Sequence, residues 1–159
     1  MANLGYLQLT RNCYQRCRFC SNPPTGVDLS IEEMRSVIDG LADMDYDGVI
    51  LTGGEPTMSP LLKPALQYAT EKGLFSRMIT NGQLLADRSF FQEVVDAGLT
   101  HIHVSLHSYR PEVHDFITAY PNAWSTLVEC LGHVPDMGIT ADINTVINIV
   151  FIHIDRRVG

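Results

Sequence analysis

Apolar and polar residues along the chain follow two periods that alternate. "YLQLT" (6–10) reads as a short strand running into a cysteine-rich stretch. Residues 29–44, "LSIEEMRSVIDGLADM", space their apolar side chains as an amphipathic helix does. Ser30 is its expected N-cap, and Glu33 completes a capping box. "GVILT" (48–52) is a short apolar run of the buried-strand kind and ends in "GGEP". Residues 59–73 predict a second helix, with Ser59 as cap, Pro60 in the first turn, Pro64 early enough to be tolerated and Gly73 past the end. "FSRMITNG" (75–82) is a third strand with a turn. A helix over 87–98 follows, capped by Asp87 and closed by Gly98. "HIHVSLHS" (101–108) is a fourth strand. Residues 122–138 hold a fourth helix, expected to break before Pro135, and 139–154 begin as a fifth strand.

Strands and helices that alternate with crossovers of this length predict an α/β fold with a parallel sheet and helices packed outside it. Functional groups in such sheets gather beyond the C-terminal ends of the strands. The unusual residues of this chain fall there. Three cysteines follow the first strand, Gly53-Gly54-Glu55-Pro56 the second and Thr80-Asn81-Gly82 the third, while Ser105 to Ser108 end the fourth. Four separate segments therefore converge on one rim.

Composition narrows the class. The chain has 159 residues, 45% hydrophobic and 18% charged, which suits one soluble domain with a real core. No apolar run reaches the length of a membrane span, and the first residues lack the pattern of a signal peptide. The expected setting is a reducing, cytoplasmic one, where clustered cysteines bind metal or do redox chemistry more often than they form disulfides. No membrane partner is therefore expected, and a formal net charge of -7 argues against a generic nucleic-acid-binding surface. Charge is unevenly spread, since Arg11, Arg16 and Arg18 lie in the cysteine stretch.

That stretch, "NCYQRCRFCSN", places Cys13, Cys17 and Cys20 at C-x3-C-x2-C spacing. A structural zinc site wants four ligands and tends to use paired C-x2-C units. The remaining cysteine, Cys130, lies about 110 residues away in mid-helix, beside Leu131, and reads as a small buried apolar residue. A four-iron cluster held by three thiolates keeps one iron open for a substrate or cofactor. At this point the chain resembles the radical SAM enzymes, whose signature is three cysteines at this spacing with an aromatic residue, here Phe19, before the last. "LTGGEP" (51–56), "ITNG" (79–82), "VSLHS" (104–108) and "INTVIN" (143–148) resemble further family segments, in order and at the expected strand spacing.

The resemblance implies a partial (βα)6 TIM-like barrel of parallel strands, with about five strands present here. It implies a [4Fe–4S] cluster on Cys13, Cys17 and Cys20, and S-adenosylmethionine bound at the open iron. Reductive cleavage would release a 5′-deoxyadenosyl radical that abstracts hydrogen from a peptide or small metabolite. An external one-electron reductant such as flavodoxin or ferredoxin would feed the cluster. Cofactor contacts are expected from Phe19, Gly53, Gly54, Glu55, Thr80, Ser105 and Asn144, with Asn148 an alternative to Asn144. Two positions depart from the family pattern. His107 stands where many relatives have an aspartate, and Gln15 where some have an aromatic. The expected core is 1–148, an incomplete barrel, with 149–159 an atypical tail. Val146–Ile154 is expected to be disordered or paired non-natively, because a missing sixth strand leaves the fifth as an edge. A non-catalytic iron–sulfur electron carrier, or an inactive fragment, is the alternative; an electron carrier would want a fourth cysteine and has no use for "GGEP". His101 and His103 share a strand face but lie at the wrong end of their strand to serve the rim.

Overall fold

The structure is a computed structural model that describes residues 2–147. Five strands, β1 (Leu4–Thr10), β2 (Gly48–Gly53), β3 (Phe75–Thr80), β4 (Leu99–Ser105) and β5 (Thr140–Asn144), form one sheet in sequence order, every pairing parallel. The crossovers are helices α1 (Ile31–Asp43), α2 (Leu62–Glu71), α3 (Arg88–Asp96), and the pair α4 (Pro111–Thr118) and α5 (Ala123–Met137). Neighbouring parallel strands joined through helices give a partial TIM-like α/β barrel. All strand C-termini lie at one edge, which is what brings the four rim segments together.

Alternation along each strand sorts the two faces. Leu7, Leu9, Val49, Leu51, Met78, Ile102 and Val104 are buried with Met34, Ile38, Leu66, Phe91 and Val94 of the helices. The opposite face carries Tyr6, Arg77, His103 and Asp142, which line an open hollow. Ser30 caps α1 as expected: the Glu33 amide donates to its hydroxyl at 3.2 Å, and the Ser30 amide donates to the Glu33 carboxylate at 2.8 Å.

The second helix starts later than its sequence suggests. Residues Pro56–Met58 make a 3-10 turn, and α2 begins at Leu62 with Leu61, not Ser59, at its N-cap. Ser59 instead accepts from the Leu61 amide at 3.2 Å, an ST-type turn that competes with helix at this point. Pro64 falls in the first turn, where an amide has no intrahelical acceptor in any case. The helix ending at Met137 does not break before Pro135. The proline sits in the last turn, so little helix remains beyond it to be disrupted. Helix α4 went unpredicted. Its signals are Pro111 at the first helical position and the buried pair Val113 and Ile117, four residues apart. The fourth strand is shifted forward and ends at Ser105, which leaves 106–108 in the following loop. Asn148 and the tail over 149–159 lie outside the described residues.

Candidate active site

The rim is built where β1 and β2 end. Thr10 pairs with Gly53 after a bulge. The Gly54 amide then donates to the Thr10 carbonyl and the Glu55 amide to the Asn12 carbonyl, each at 2.8 Å. A Cβ on Gly53 would lie 2.4 Å from the Thr10 oxygen, and one on Gly54 would lie 2.2 Å from the Asn12 oxygen. Both glycines are thus required by the close approach of two backbones. That approach seats the following glutamate at the rim and fixes the start of the cysteine loop against it.

Glu55 is only 1% exposed. One carboxylate oxygen accepts from the Thr57 amide (3.1 Å), the Thr57 hydroxyl (2.6 Å) and the Thr80 hydroxyl (2.7 Å); the other accepts from the Asn81 amide (2.8 Å). Burial pushes the carboxyl above its ordinary range, and these donors pull it back. Thr80 in turn accepts from the Gly82 amide at 3.0 Å. Its hydroxyl is committed to the protein, so Thr80 acts on the site through Glu55. The second carboxylate oxygen, with one donor, keeps capacity for another.

The loop over 11–26 has little regular structure and is held by its neighbours. The Arg18 amide and guanidinium donate to the Ile117 and Phe116 carbonyls, both at 2.9 Å, and the guanidinium stacks on the Phe116 ring at 4.1 Å. The Arg16 amide reaches the Thr118 carbonyl at 3.2 Å. The C-terminal end of α4 is therefore the loop's anchor. Tyr14 donates to Asn81 at 3.2 Å, and Asn22 donates to the Gly53 carbonyl at 3.1 Å. Of the three arginines only Arg16 lines the cavity that the loop encloses; Arg18 is spent on α4, and Arg11 donates to the Pro23 carbonyl.

That cavity has a volume of about 440 Å³, within the roughly 300–1,000 Å³ range of small-molecule sites. Cys13, Cys17, Cys20, Phe19, Gly53, Gly54, Glu55, Thr80, Ser105 and Asn144 all line it, so these ten residues face one space. Ser105 and Asn144 make no side-chain hydrogen bond among the described residues. Their polar groups are available to a ligand, in contrast to the Thr80 hydroxyl, which both donates and accepts within the protein.

The cysteines are free thiols. Burial raises the Cys13 pKa, with Glu55 and Cys20 adding to the rise, while the Gln15 amide and Arg16 oppose it. Burial, then Cys13 and Cys20, push Cys17 up to about 11. Cys13 and Cys17, crowded in a half-buried loop, resist ionising; a bound metal supplies the positive charge that overcomes this. The donor set therefore fits a thiolate-ligated iron cluster, with three thiols turned to one space and no fourth beside them. Cys130 packs fully buried in the core away from this cavity, its thiol pushed up to about 12 by burial.

Of the lining residues outside the site list drawn from the sequence, His107 and Gln15 are buried polar groups at the positions that depart from the family pattern. His107 is 4% exposed. Phe19 meets its ring edge-on at 4.6 Å, and the Val146 amide donates to its Nδ1 at 3.3 Å. Burial, then His114, lowers its pKa to about 4, so the ring is neutral and carries its proton on Nε2. The departure from the family pattern at this position was its sequence signal. The other is Gln15, buried beside Cys17.

On the helix-free face, His101 Nε2 lies 2.8 Å from an Asp142 oxygen, and His103 Nδ1 lies 3.8 Å from the same atom. The two imidazoles stack at 4.6 Å with planes 26° apart, and with Asp142 they offer three ligand atoms within 4.8 Å of one another. The group reads as a hydrogen-bonded His–Asp pair.

Comparison with known proteins agrees with this geometry. The chain is 30% identical over 146 residues to a PqqA peptide cyclase of Bradyrhizobium diazoefficiens, covering 89% of this chain and 38% of that protein. It is 31% identical over 144 residues to an Fe-coproporphyrin III synthase of Methanosarcina barkeri, covering 88% and 36%. The chain thus spans less than half the length of these relatives. The solved structure of Streptococcus suis SuiB superposes with a TM-score of 0.79 at 16% identity, over 98% of this chain and 36% of that one. The structure of anSMEcpe with bound AdoMet gives 0.71 at 15% identity, over 90% and 43%. No helix among the described residues is long and apolar enough to cross a membrane. The family model described as the radical SAM superfamily matches residues 7–156, and the chain belongs to that superfamily, whose enzymes bind a [4Fe–4S] cluster and S-adenosylmethionine.

Proposed function

We propose that this chain is the core of a radical SAM enzyme acting on a peptide, with Cys13, Cys17 and Cys20 as the cluster ligands. The observation that carries the reading is the single cavity shared by three free thiols, Glu55 and the unpaired side chains of Ser105 and Asn144. When bound, the cluster supplies the electron that cleaves the sulfonium of S-adenosylmethionine to a 5′-deoxyadenosyl radical. The residues of the chain bind and orient. The open acceptor position on Glu55 suits the cofactor's ammonium. Ser105 and Asn144 offer hydrogen bonds at the opposite wall. Phe19, its ring edge-on to His107, lines the cavity beside the cysteines.

A peptide substrate is favoured because PqqA peptide cyclases recur among the relatives and because SuiB has been crystallised bound to its precursor peptide SuiA. An external one-electron donor of the flavodoxin or ferredoxin kind, in a reducing cytoplasm, would serve a cluster of low potential. Residues 1–148 would form the core, an incomplete barrel, with 149–159 an atypical tail. The test is direct. The protein is reconstituted anaerobically with iron and sulfide, then given dithionite and S-adenosylmethionine. Formation of 5′-deoxyadenosine is the expected result. A cluster that forms and leaves the cofactor intact would favour an electron carrier.

A further inference from the structure

Gln15 has an unsatisfied end. Its side chain is 4% exposed and lines the cavity. Its Oε1 accepts from the Cys17 thiol at a sulfur–oxygen distance of 3.6 Å, while its Nε2 is buried with no hydrogen-bond partner. A buried amide donor without an acceptor is disfavoured, and native structures rarely keep one.

Ligation changes what Cys17 offers. As a thiol it donates to Oε1. As a metal-bound thiolate it has no proton and becomes an acceptor, and Oε1 would then face negative charge. Carboxamide oxygen and nitrogen are nearly the same size, so a half-turn of the amide exchanges them. The half-turn puts Nε2 where Oε1 now stands, 3.6 Å from the sulfur. The buried donor gains an acceptor and the thiolate gains a donor. No other side-chain N–H is recorded on Cys17 among the described residues; the nearest comparable contact, Asn81 Nδ2 to the Cys13 sulfur, is at 4.0 Å.

We propose that Gln15 is a positioning residue whose carboxamide turns over when Cys17 is ligated and donates N–H to the Cys17 thiolate. Hydrogen bonds to cluster sulfurs favour the more negative, reduced state and so raise the reduction potential. The inference rests on the ligand set proposed above.

The experiment uses the full chain reconstituted with iron and sulfide, without S-adenosylmethionine. Wild type and Gln15→Leu are compared by iron and sulfide content and by potentiometric titration followed by electron paramagnetic resonance. The expected result is equal cluster content with the variant's midpoint shifted to more negative potential. Equal midpoints would overturn the proposal while leaving the ligand set standing. A wild-type chain that takes up no cluster would overturn the ligand set, and this proposal with it. Should the variant fail to hold a cluster, wild type labelled with ¹⁵N in the glutamine amide decides the matter. Its reduced cluster should show hyperfine coupling to ¹⁵N and to an exchangeable proton, and absence of the nitrogen coupling would overturn the proposal.

Discussion

The cavity has two walls, and they are held in opposite ways. The Glu55 wall is complete. Its carboxylate takes four hydrogen bonds from three residues, tying the end of β2 to the end of β3. The cysteine wall is unfinished. Cys13 and Cys17 resist ionising, Gln15 keeps an unpaired amide, and the loop depends on α4 for anchorage. A wall preorganised for a polar ligand faces one poised for a metal. The difference predicts which substitutions lose a bound group and which lose the frame.

The largest effect belongs to the unfinished wall. Changing Cys13, Cys17 or Cys20 to Ala should abolish the brown chromophore of the reconstituted protein and leave the thermal transition of the metal-free chain nearly unmoved. Cys130→Ala should do the reverse, since that thiol is packed in the core. Loss of the chromophore with Cys130→Ala and its survival in one of the other three would dismantle the ligand set.

Next is Glu55. Glu55→Ala would strand the Thr57, Thr80 and Asn81 donors in a buried place, at about 2–4 kcal/mol of folding stability. Denaturant unfolding of the metal-free chain measures that. Glu55→Gln keeps the shape and most of the bonds, and so isolates the cofactor's share. Calorimetric titration should show a roughly tenfold to hundredfold weaker S-adenosylmethionine affinity, the effect of one charge-assisted hydrogen bond. Unchanged affinity in Glu55→Gln would reduce Glu55 to a purely structural tie.

His107 joins the walls through Phe19 and sets a pH response. The unfolded chain binds a proton on this ring below about 6.5, and the folded chain only below about 4. Its contribution is therefore fully present above pH 6.5 and is lost as pH falls towards 4. The span corresponds to about 3 kcal/mol. His114, also lowered by burial, adds in the same direction. Stability measured from pH 7 to 4.5 should fall in the wild type and fall less steeply in His107→Gln. Parallel curves would show that the ring titrates freely.

The two walls also differ in how well the sequence announced them. The strand and helix alternation announced the sheet, because the first four strands are short and lead into helical segments, two of them capped by Ser30 and Asp87. The cysteine spacing and "GGEP" pointed to one rim, since a parallel sheet collects its loops at one end. What the sequence hid was long-range. Nothing local says that Thr80 spends its hydroxyl on Glu55, 25 residues away, or that Arg18 reaches Phe116 across 98 residues. Helix α4 stayed hidden because eight residues with two buried apolar positions carry little periodicity. The true start of α2 stayed hidden because Ser59 and Pro60 mimic a cap that the 3-10 turn before them displaces.

The smallest effect sharpens the comparison most. Ser105 and Thr80 are both hydroxyls at strand ends lining one cavity. Thr80 is saturated by Glu55 and Gly82, whereas Ser105 has no partner among the described residues. If Ser105 serves the ligand, Ser105→Ala should weaken S-adenosylmethionine binding by about 1 kcal/mol, roughly fivefold. It should leave the denaturation midpoint of the metal-free chain in place, because no protein bond is lost. Thr80→Val, which keeps the shape and removes the hydroxyl, should lower that midpoint by orphaning the Gly82 amide and removing a donor from Glu55. Any loss of affinity it causes should be indirect and track the loss of stability. A Ser105→Ala protein that unfolds as early as Thr80→Val while binding the cofactor normally would erase the distinction between a hydroxyl that holds the frame and one that meets the ligand.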